Sequence, residues 1–446
     1  MKKRVMPWWV PVVMAAAVVI VAAACSGGGG NGGGNGGDDE AVCGSDPSGG
    51  EPSVSSEIVS AEDILAKDPA ITQESTVDWG WMFELAGVPQ IQVFGMVTGD
   101  GVKFAVQEIN EAGGFQVGDT IYKINLIEHD TRSDVANTLA ITTELIKDSE
   151  VCIIWGPAAF GEAEATALTQ PNQVLHLCPC QDRDTTSLST VEKAQGESHW
   201  AFQTLPAVSR FFLRGALNTK EEFPEFETVA LLCINTEIGQ SVCGFYEDAY
   251  QEAGFEIVAR EDFPAGTSDY RPLLTRIRGS DPDILLNFDD AAAQINLLKQ
   301  ALELDVAQAL NTSLTPDLLE PLLGPAVRDK IFLSGGIPRQ AAQPTSDKAA
   351  AYFERYEEFA GGTLPPASFV SLLTYDFVYM VVAAMQQAET VTDSTKIAEA
   401  LETVRYNGVA EDEIYFDERH IAVMGSDDCT VIEGEANCVH NAPDLD

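Results

Sequence analysis

His176, Cys178 and Cys180 alternate along a short apolar run, so on an extended strand all three fall on one face. An imidazole and two thiolates are three of the four ligands a structural zinc site needs. No second His/Cys cluster supplies the fourth, and the same residues serve disulfide chemistry in an oxidising compartment. Apart from Cys25, the cysteines are Cys43, Cys152, Cys178, Cys180, Cys233, Cys243, Cys429 and Cys438, an even set that favours bridges. Cys429 and Cys438 bracket a polar loop and make the easiest pair. Cys233 ends a strand-like run and Cys243 opens the next helix, so they are the second pair. Cys152 is expected to meet Cys178 or Cys180 across neighbouring strands. Catalytic signals are missing: the histidines (129, 176, 199, 420 and 440) are scattered, and there is no His-Glu-x-x-His, phosphate loop or Gly-x-Ser-x-Gly elbow. Gly95 to Gly101 is only loosely like a nucleotide loop and follows no strand closely. These residues point to binding without turnover, and to no cofactor or resident metal.

The N-terminus gives the compartment. Met1-Lys2-Lys3-Arg4 is basic, Val5 to Ala24 is largely apolar, and Ala22-Ala23-Ala24 precedes Cys25. That is the pattern of a secretory signal peptide. The small residues before Cys25 resemble a bacterial lipobox, with Ala22 where leucine is usual, so Cys25 is the expected lipidation site. The alternative is an uncleaved anchor, since about 20 apolar residues span a bilayer; Pro7, Pro11 and the small-residue end oppose it. In either case a glycine-rich leash (Gly27 to Gly37) would tether a soluble body outside the cytoplasmic membrane.

Lys plus Arg total 26 against 69 Asp plus Glu, a net charge of -43. Such a surface repels nucleic-acid phosphates and anionic lipid heads, which excludes them as partners. It also serves simply as a solvation device. Signal and leash removed, about 370 residues remain, enough for two ordinary cores.

Residues from Glu40 to about Ala70 read as a linker, with order beginning near Thr76. Strand-like runs at Val77–Phe83, Tyr122–Glu128, Val151–Trp155 and Val174–Cys178 alternate with helices at Asp100–Ala112, after Ser133 as its cap, and up to Thr169. The alternation restarts with helix Val208–Thr219 and strand Val229–Ile234. Helices Ser241–Ala253, Tyr270–Arg278 and Ala291–Leu304 then interleave with strands Glu256–Glu261, Ile284–Phe288 and Ala307–Leu310. Strands alternating with helices imply right-handed βαβ units and parallel sheets, here in two series. Helices Asp347–Phe359 and Phe369–Gln387 have no strand series of their own and are expected to return to the first lobe.

Gly101-Val102-Lys103-Phe104-Ala105-Val106-Gln107-Glu108-Ile109-Asn110-Glu111-Ala112-Gly113-Gly114 resembles the first helix of type I periplasmic binding proteins, in particular the branched-chain amino acid binding branch that serves ABC importers. His129 to Asp134, Gly239, Glu252-Ala253-Gly254, Gly266 to Tyr270, Asp281-Pro282-Asp283-Ile284 and Tyr375-Asp376 fit the same pattern, in order, from about Val77 to Phe416. The resemblance implies an α/β fold of two lobes, each a parallel sheet flanked by helices, with a hinged cleft between them. The expected division is a signal peptide over 1–24, a Gly/Ser/acidic linker over 25–72, a first lobe from 73–205 plus 336–408, and a second from 206–335 plus 409–446. It further implies a monomer that delivers a small solute to the permease subunits of an ABC importer. A tethered sensor of the same fold, signalling to a membrane partner, is the alternative.

The resemblance also places the ligand. In the first lobe it points to a loop from Glu84 to Gly95 carrying Phe94. It then points to Phe160 and Gly161 after the Gly156 turn, with Phe160 where the family has a carboxylate-binding serine, and to Cys180, Gln181 and Asp182. In the second lobe it points to Ile238, Asp289, Asp290 and Ser313. A phenyl ring and an aspartate in place of two hydroxyls remove donors and add a like charge, which disfavours an amino acid held by its carboxylate and suits an amine-bearing solute. The bland reading of the same residues is core packing for Phe160 and caps or solvated loops for the aspartates.

Overall fold

The structure, a computed structural model, describes residues 43, 57–179, 199–289, 291–314, 316–337, 344–365 and 367–443. In chain order the first elements are β1 (Ile58–Ser60), α1 (Ala61–Leu65), β2 (Glu74–Phe83), α2 (Pro89–Glu111), β3 (Phe115–Val117), β4 (Thr120–Asp130), α3 (Val135–Lys147), β5 (Ile153–Trp155), α4 (Glu162–Thr169), β6 (Leu175–Cys178) and β7 (Ala201–Gln203). Next come α5 (Val208–Glu222), β8 (Thr228–Ile234), α6 (Glu237–Glu252), β9 (Glu256–Phe263), α7 (Arg271–Arg278), β10 (Ile284–Phe288), α8 (Ala291–Leu304), β11 (Ala309–Asn311), α9 (Pro316–Leu323) and β12 (Ile331–Ile337). The chain ends with α10 (Asp347–Phe359), α11 (Leu372–Ala388), α12 (Ser394–Leu401), β13 (Arg405–Asn407), β14 (Tyr415–Phe416), β15 (Ala422–Val423), β16 (Ser426–Ile432) and β17 (Glu435–Asn441).

The first lobe is built on a sheet of order β3-β4-β2-β5-β6-β7, parallel except for β3 against β4. Alternation along β2 sends Val77, Trp79, Trp81 and Phe83 to one face, where they share a core with α2, α10, α11 and α12. Met82 points the other way, against Ile141 and Leu145 of α3. Ser368–Ala388 is apolar and long enough to cross a bilayer, yet it lies buried inside this lobe. Glycines let α2 approach so closely: a Cβ at Gly101 would stand 2.0 Å from the Ser371 carbonyl oxygen, and one at Gly99 2.4 Å from the Trp81 ring. The glycines of the Gly95–Gly101 stretch are thus inside a helix, serving packing.

The second lobe has a sheet of order β17-β16-β12-β11-β10-β8-β9. Strands β8 to β12 run parallel, and β16 and β17 form an antiparallel edge hairpin. Buried aliphatic runs such as Ala230 to Ile234 and Ile284 to Leu286 have apolar clusters on both faces, as a helix-covered sheet requires. The chain crosses between lobes after β7, after β12 and after β15. The last crossing lies later than the sequence implied: Ala410, Ile414, Phe416, Ala422 and Met424 belong to the first lobe's core, so 409–424 pack there and not in the second lobe. Likewise β12 carries the second lobe to Ile337.

Several local expectations are corrected. Ordered structure starts before Thr76: Ile58–Ser60 pairs with Arg405–Asn407, and Ser60 and Asp63 form a capping box on α1. Helix α3 is capped by Asp134, which accepts from Asn137 N–H at 2.7 Å, while Ser133 has φ +54° and its hydroxyl donates to the Ala86 carbonyl. Bridges join Cys233 to Cys243 and Cys429 to Cys438; the latter two are direct cross-strand neighbours in the β16–β17 hairpin, where the sequence suggested a loop. Cys152 does not meet Cys178 or Cys180; it is bridged to Cys43. The reason is register: Ile153 lies opposite Leu175, so Cys152 and Cys178 sit at opposite ends of adjacent parallel strands, roughly 13 Å apart along the chain direction. Cys178 is itself disulfide-bonded, and Cys25 and Cys180 lie outside the described residues.

Candidate functional site

Parallel sheets take ligands beyond the carboxyl ends of their strands, where loops can converge without disturbing the ladder. In the first lobe that end begins with Glu84, directly after β2. Neighbouring β4 ends at Asp130, which accepts from Leu85 N–H at 2.9 Å and so ties the loop 84–88 to the sheet. Neighbouring β5 ends at Trp155 and leads through Gly156 and Pro157 into α4.

Glu84 is fully buried. Its carboxylate accepts three backbone N–H bonds: from Ala158 at 3.1 Å on Oε2, and from Ala159 at 3.0 Å and Phe160 at 3.1 Å on Oε1. Burial raises the carboxyl's pKa, and these three donors pull it back toward the charged form. Glu162, in the first turn of α4, is pushed up to about 7 by burial, with the negative charges of Glu84 and Glu164 adding to the rise. This end of the lobe therefore packs two carboxyl groups together in a buried setting, each shifted toward its neutral form by burial.

Phe160 is partly buried, and its carbonyl accepts from the Thr138 hydroxyl at 3.0 Å. Gly161 is at φ +87°, and a Cβ there would stand 2.9 Å from Thr138 Cβ, so only glycine fits this turn. Phe94 is not on a loop: α2 begins at Pro89, the loop is only 84–88, and the Phe94 ring packs against the first lobe's core from the helix. His176 holds no metal position open. Its Nε2 lies 2.7 Å from the Gly156 carbonyl oxygen and must donate to it, leaving Nδ1 to the Thr166 hydroxyl at 3.0 Å. Burial lowers its pKa to about 4.

In the second lobe the strand ends carry a buried amide network. Asn287 Nδ2 donates to the Asn311 carbonyl at 2.8 Å, and Gln294 Nε2 donates to Asn287 Oδ1 at 2.9 Å. Gln294 Oε1 accepts from Ser313 N–H at 3.1 Å and its hydroxyl at 2.7 Å, and Asn311 Nδ2 donates to the Tyr246 hydroxyl at 3.0 Å. Asp289 is buried and accepts from the Tyr270 hydroxyl at 2.5 Å. The structure thus places Asp289 and Ser313 at the carboxyl end of this sheet, and Ile238 as the second residue of α6. Gln181, Asp182 and Asp290 lie outside the described residues. Asn287, Gln294 and Asn311 had no place in the sequence reading, and Glu84 entered it only as the first residue of a cleft loop. A polar residue closing a buried apolar strand, as Asn287 does, is the signal that marks such positions.

A periplasmic binding protein family model matches residues 79–431, across both lobes and both sets of strand ends. The chain belongs to the periplasmic binding protein family. This periplasmic binding protein is 20% identical over 234 residues to the Leu/Ile/Val-binding protein homolog 8 of Brucella abortus, a match of 51% of this chain and 55% of the relative. The chain thus spans about half the length of the curated relatives it matches. Its fold is that of the branched-chain amino acid transporter substrate-binding protein LivJ from Streptococcus pneumoniae, solved with isoleucine (TM-score 0.65, 23% identity, 83% of this chain and all of that one). It is also that of a solute-binding protein of an ABC transporter from R. palustris, solved with benzoate (TM-score 0.63, 14% identity, 83% and 97% covered). Both are two-lobe type I binding proteins, and the two sheets described above are their lobes.

Proposed function

We propose that this periplasmic binding protein captures a small organic solute between its lobes and hands it, unchanged, to the permease subunits of an ABC importer. The observation that carries the reading is the pairing of two parallel sheets, linked by three crossings, whose strand ends both bear buried polar side chains: Glu84 in one lobe, Asn287, Asp289 and Asn311 in the other. Linkers of this kind permit hinge closure on a ligand. Isoleucine and benzoate in the structural neighbours support a solute of that size. The chain is read as exported and lipid-anchored at Cys25, acting as a monomer outside the cytoplasmic membrane.

The solute class we favour is an amino-acid-like amine or amide. Phe94, Phe160 and Gly161 would contribute from the first lobe with Cys180, Gln181 and Asp182. Ile238, Asp289, Asp290 and Ser313 would contribute from the second. The test is a thermal-shift screen of amino acids, amines, amides and small acids on residues 41–446, followed by small-angle scattering. A captured solute raises stability by ~2.7 kcal/mol at a hundred times Kd and makes the particle more compact. Chemical conversion of the solute by the pure protein would overturn the reading, and a Cys25→Ala protein that stays membrane-bound would overturn the anchor.

A further inference from the structure

Three successive N–H groups converging on one point, just before a helix, form a concavity made for an anion. The turn Ala158-Ala159-Phe160 ahead of α4 is such a concavity, and the protein fills it with its own Glu84. The fit is built in from a second element. In α2 a Cβ at position 95 would stand 2.7 Å from Glu84 Oε2 and 2.9 Å from both its Cβ and its carbonyl oxygen, so Gly95 makes the room in which the glutamate lies. With all three donors taken, an arriving carboxylate finds no free N–H on this turn. It meets instead the Glu84 carboxyl already seated on those donors, with Glu162 near enough to interact with it.

We infer that Glu84 is a resident carboxylate that sets the ligand class: the solute does not anchor a carboxylate on the 158–160 turn, and the group it presents there is neutral or cationic. The inference deepens the proposed solute capture and rests on it for its meaning, whereas the filled concavity stands on geometry alone.

The experiment follows that division. Glu84→Ala empties the concavity, and acetate is the probe. The variant should melt lower than wild type, and acetate should recover several degrees, or the refolding yield, that chloride at equal ionic strength does not. Wild type should respond alike to both salts. A variant indifferent to acetate in both melting temperature and yield overturns the inference. The second arm compares wild-type binding of isoleucine with isoleucinamide and of benzoate with benzamide. Preference for the amides by a factor of ~10 or more is expected, since a free carboxylate would face an occupied site. Tighter binding of the acids overturns the ligand class. If neither pair binds, solute capture of this kind fails, and the acetate result still decides the role of Glu84.

Discussion

Cys43 is bonded to Cys152 across 109 positions of sequence, and its carbonyl also accepts from the Ser394 N–H at 2.8 Å and hydroxyl at 2.9 Å. A residue from the stretch expected to be linker is thus fixed to the start of β5 and to the first turn of α12, with its side chain 4% exposed. Closing so long a loop restricts the unfolded chain strongly. Cys43→Ser should therefore lower stability by about 2–5 kcal/mol, read by denaturant unfolding of the oxidised proteins. Reductant should bring wild type down to the variant's level or below it.

Glu162 gives a pH dependence of defined sign. Its folded pKa of about 7 lies above the ordinary carboxyl value, so between the two the folded state binds the proton and the unfolded state does not. Stability from this group is complete at pH below about 4.5 and is lost as the pH rises through 7. Glu162→Gln should leave the unfolding free energy near wild type at pH 5 and raise it at pH 8, by on the order of 2 kcal/mol, read from urea unfolding at the two pH values.

His176 contributes in the opposite direction. Burial holds its pKa near 4, below the value in an unfolded chain, so its contribution is present above about 6.5 and lost as the pH falls toward 4. Proton NMR should find one imidazole that stays neutral through pH 5. An ordinary titration of His176 near pH 6.5 would contradict the burial described here.

Two glycine substitutions inside helices should differ in sign. Gly101→Ala puts a methyl group 2.0 Å from the Ser371 carbonyl oxygen, a backbone atom that cannot step aside, and should cost about 1–3 kcal/mol or more. Gly244→Ala in α6 meets nothing within 4 Å and should gain about 0.5–1 kcal/mol from the reduced freedom of the unfolded chain. Urea midpoints of the two variants against wild type measure both.

The regular parts of this fold are legible because their signals are local. Strand Ile284–Phe288 and helices Ala291–Leu304 and Asp347–Phe359 lie where the apolar spacing puts them. The hairpin β16–β17 is not legible that way: Ser426-Asp427-Asp428 and Glu435 to Asn437 are too polar to announce strands, and only pairing with each other and with β12 makes them so. The candidate site hides for a related reason. Glu84 finds its partners 74 to 76 positions away, so its role exists only once β2 and β5 lie side by side. Phe160 shows the limit from the other direction: the sequence directs attention to its side chain, whereas its backbone N–H is what meets the glutamate.

The three crossings also set an order of assembly. Trp79, Trp81 and Phe83 share a core with α11 and with Phe416, residues that leave the ribosome some three hundred positions later. Five strands of the second sheet, by contrast, lie within Thr228–Ile337 and can pair as soon as they emerge. Both lobes nevertheless wait for the end of the chain: the first for Phe416 and Met424, the second for its edge hairpin Ser426–Asn441.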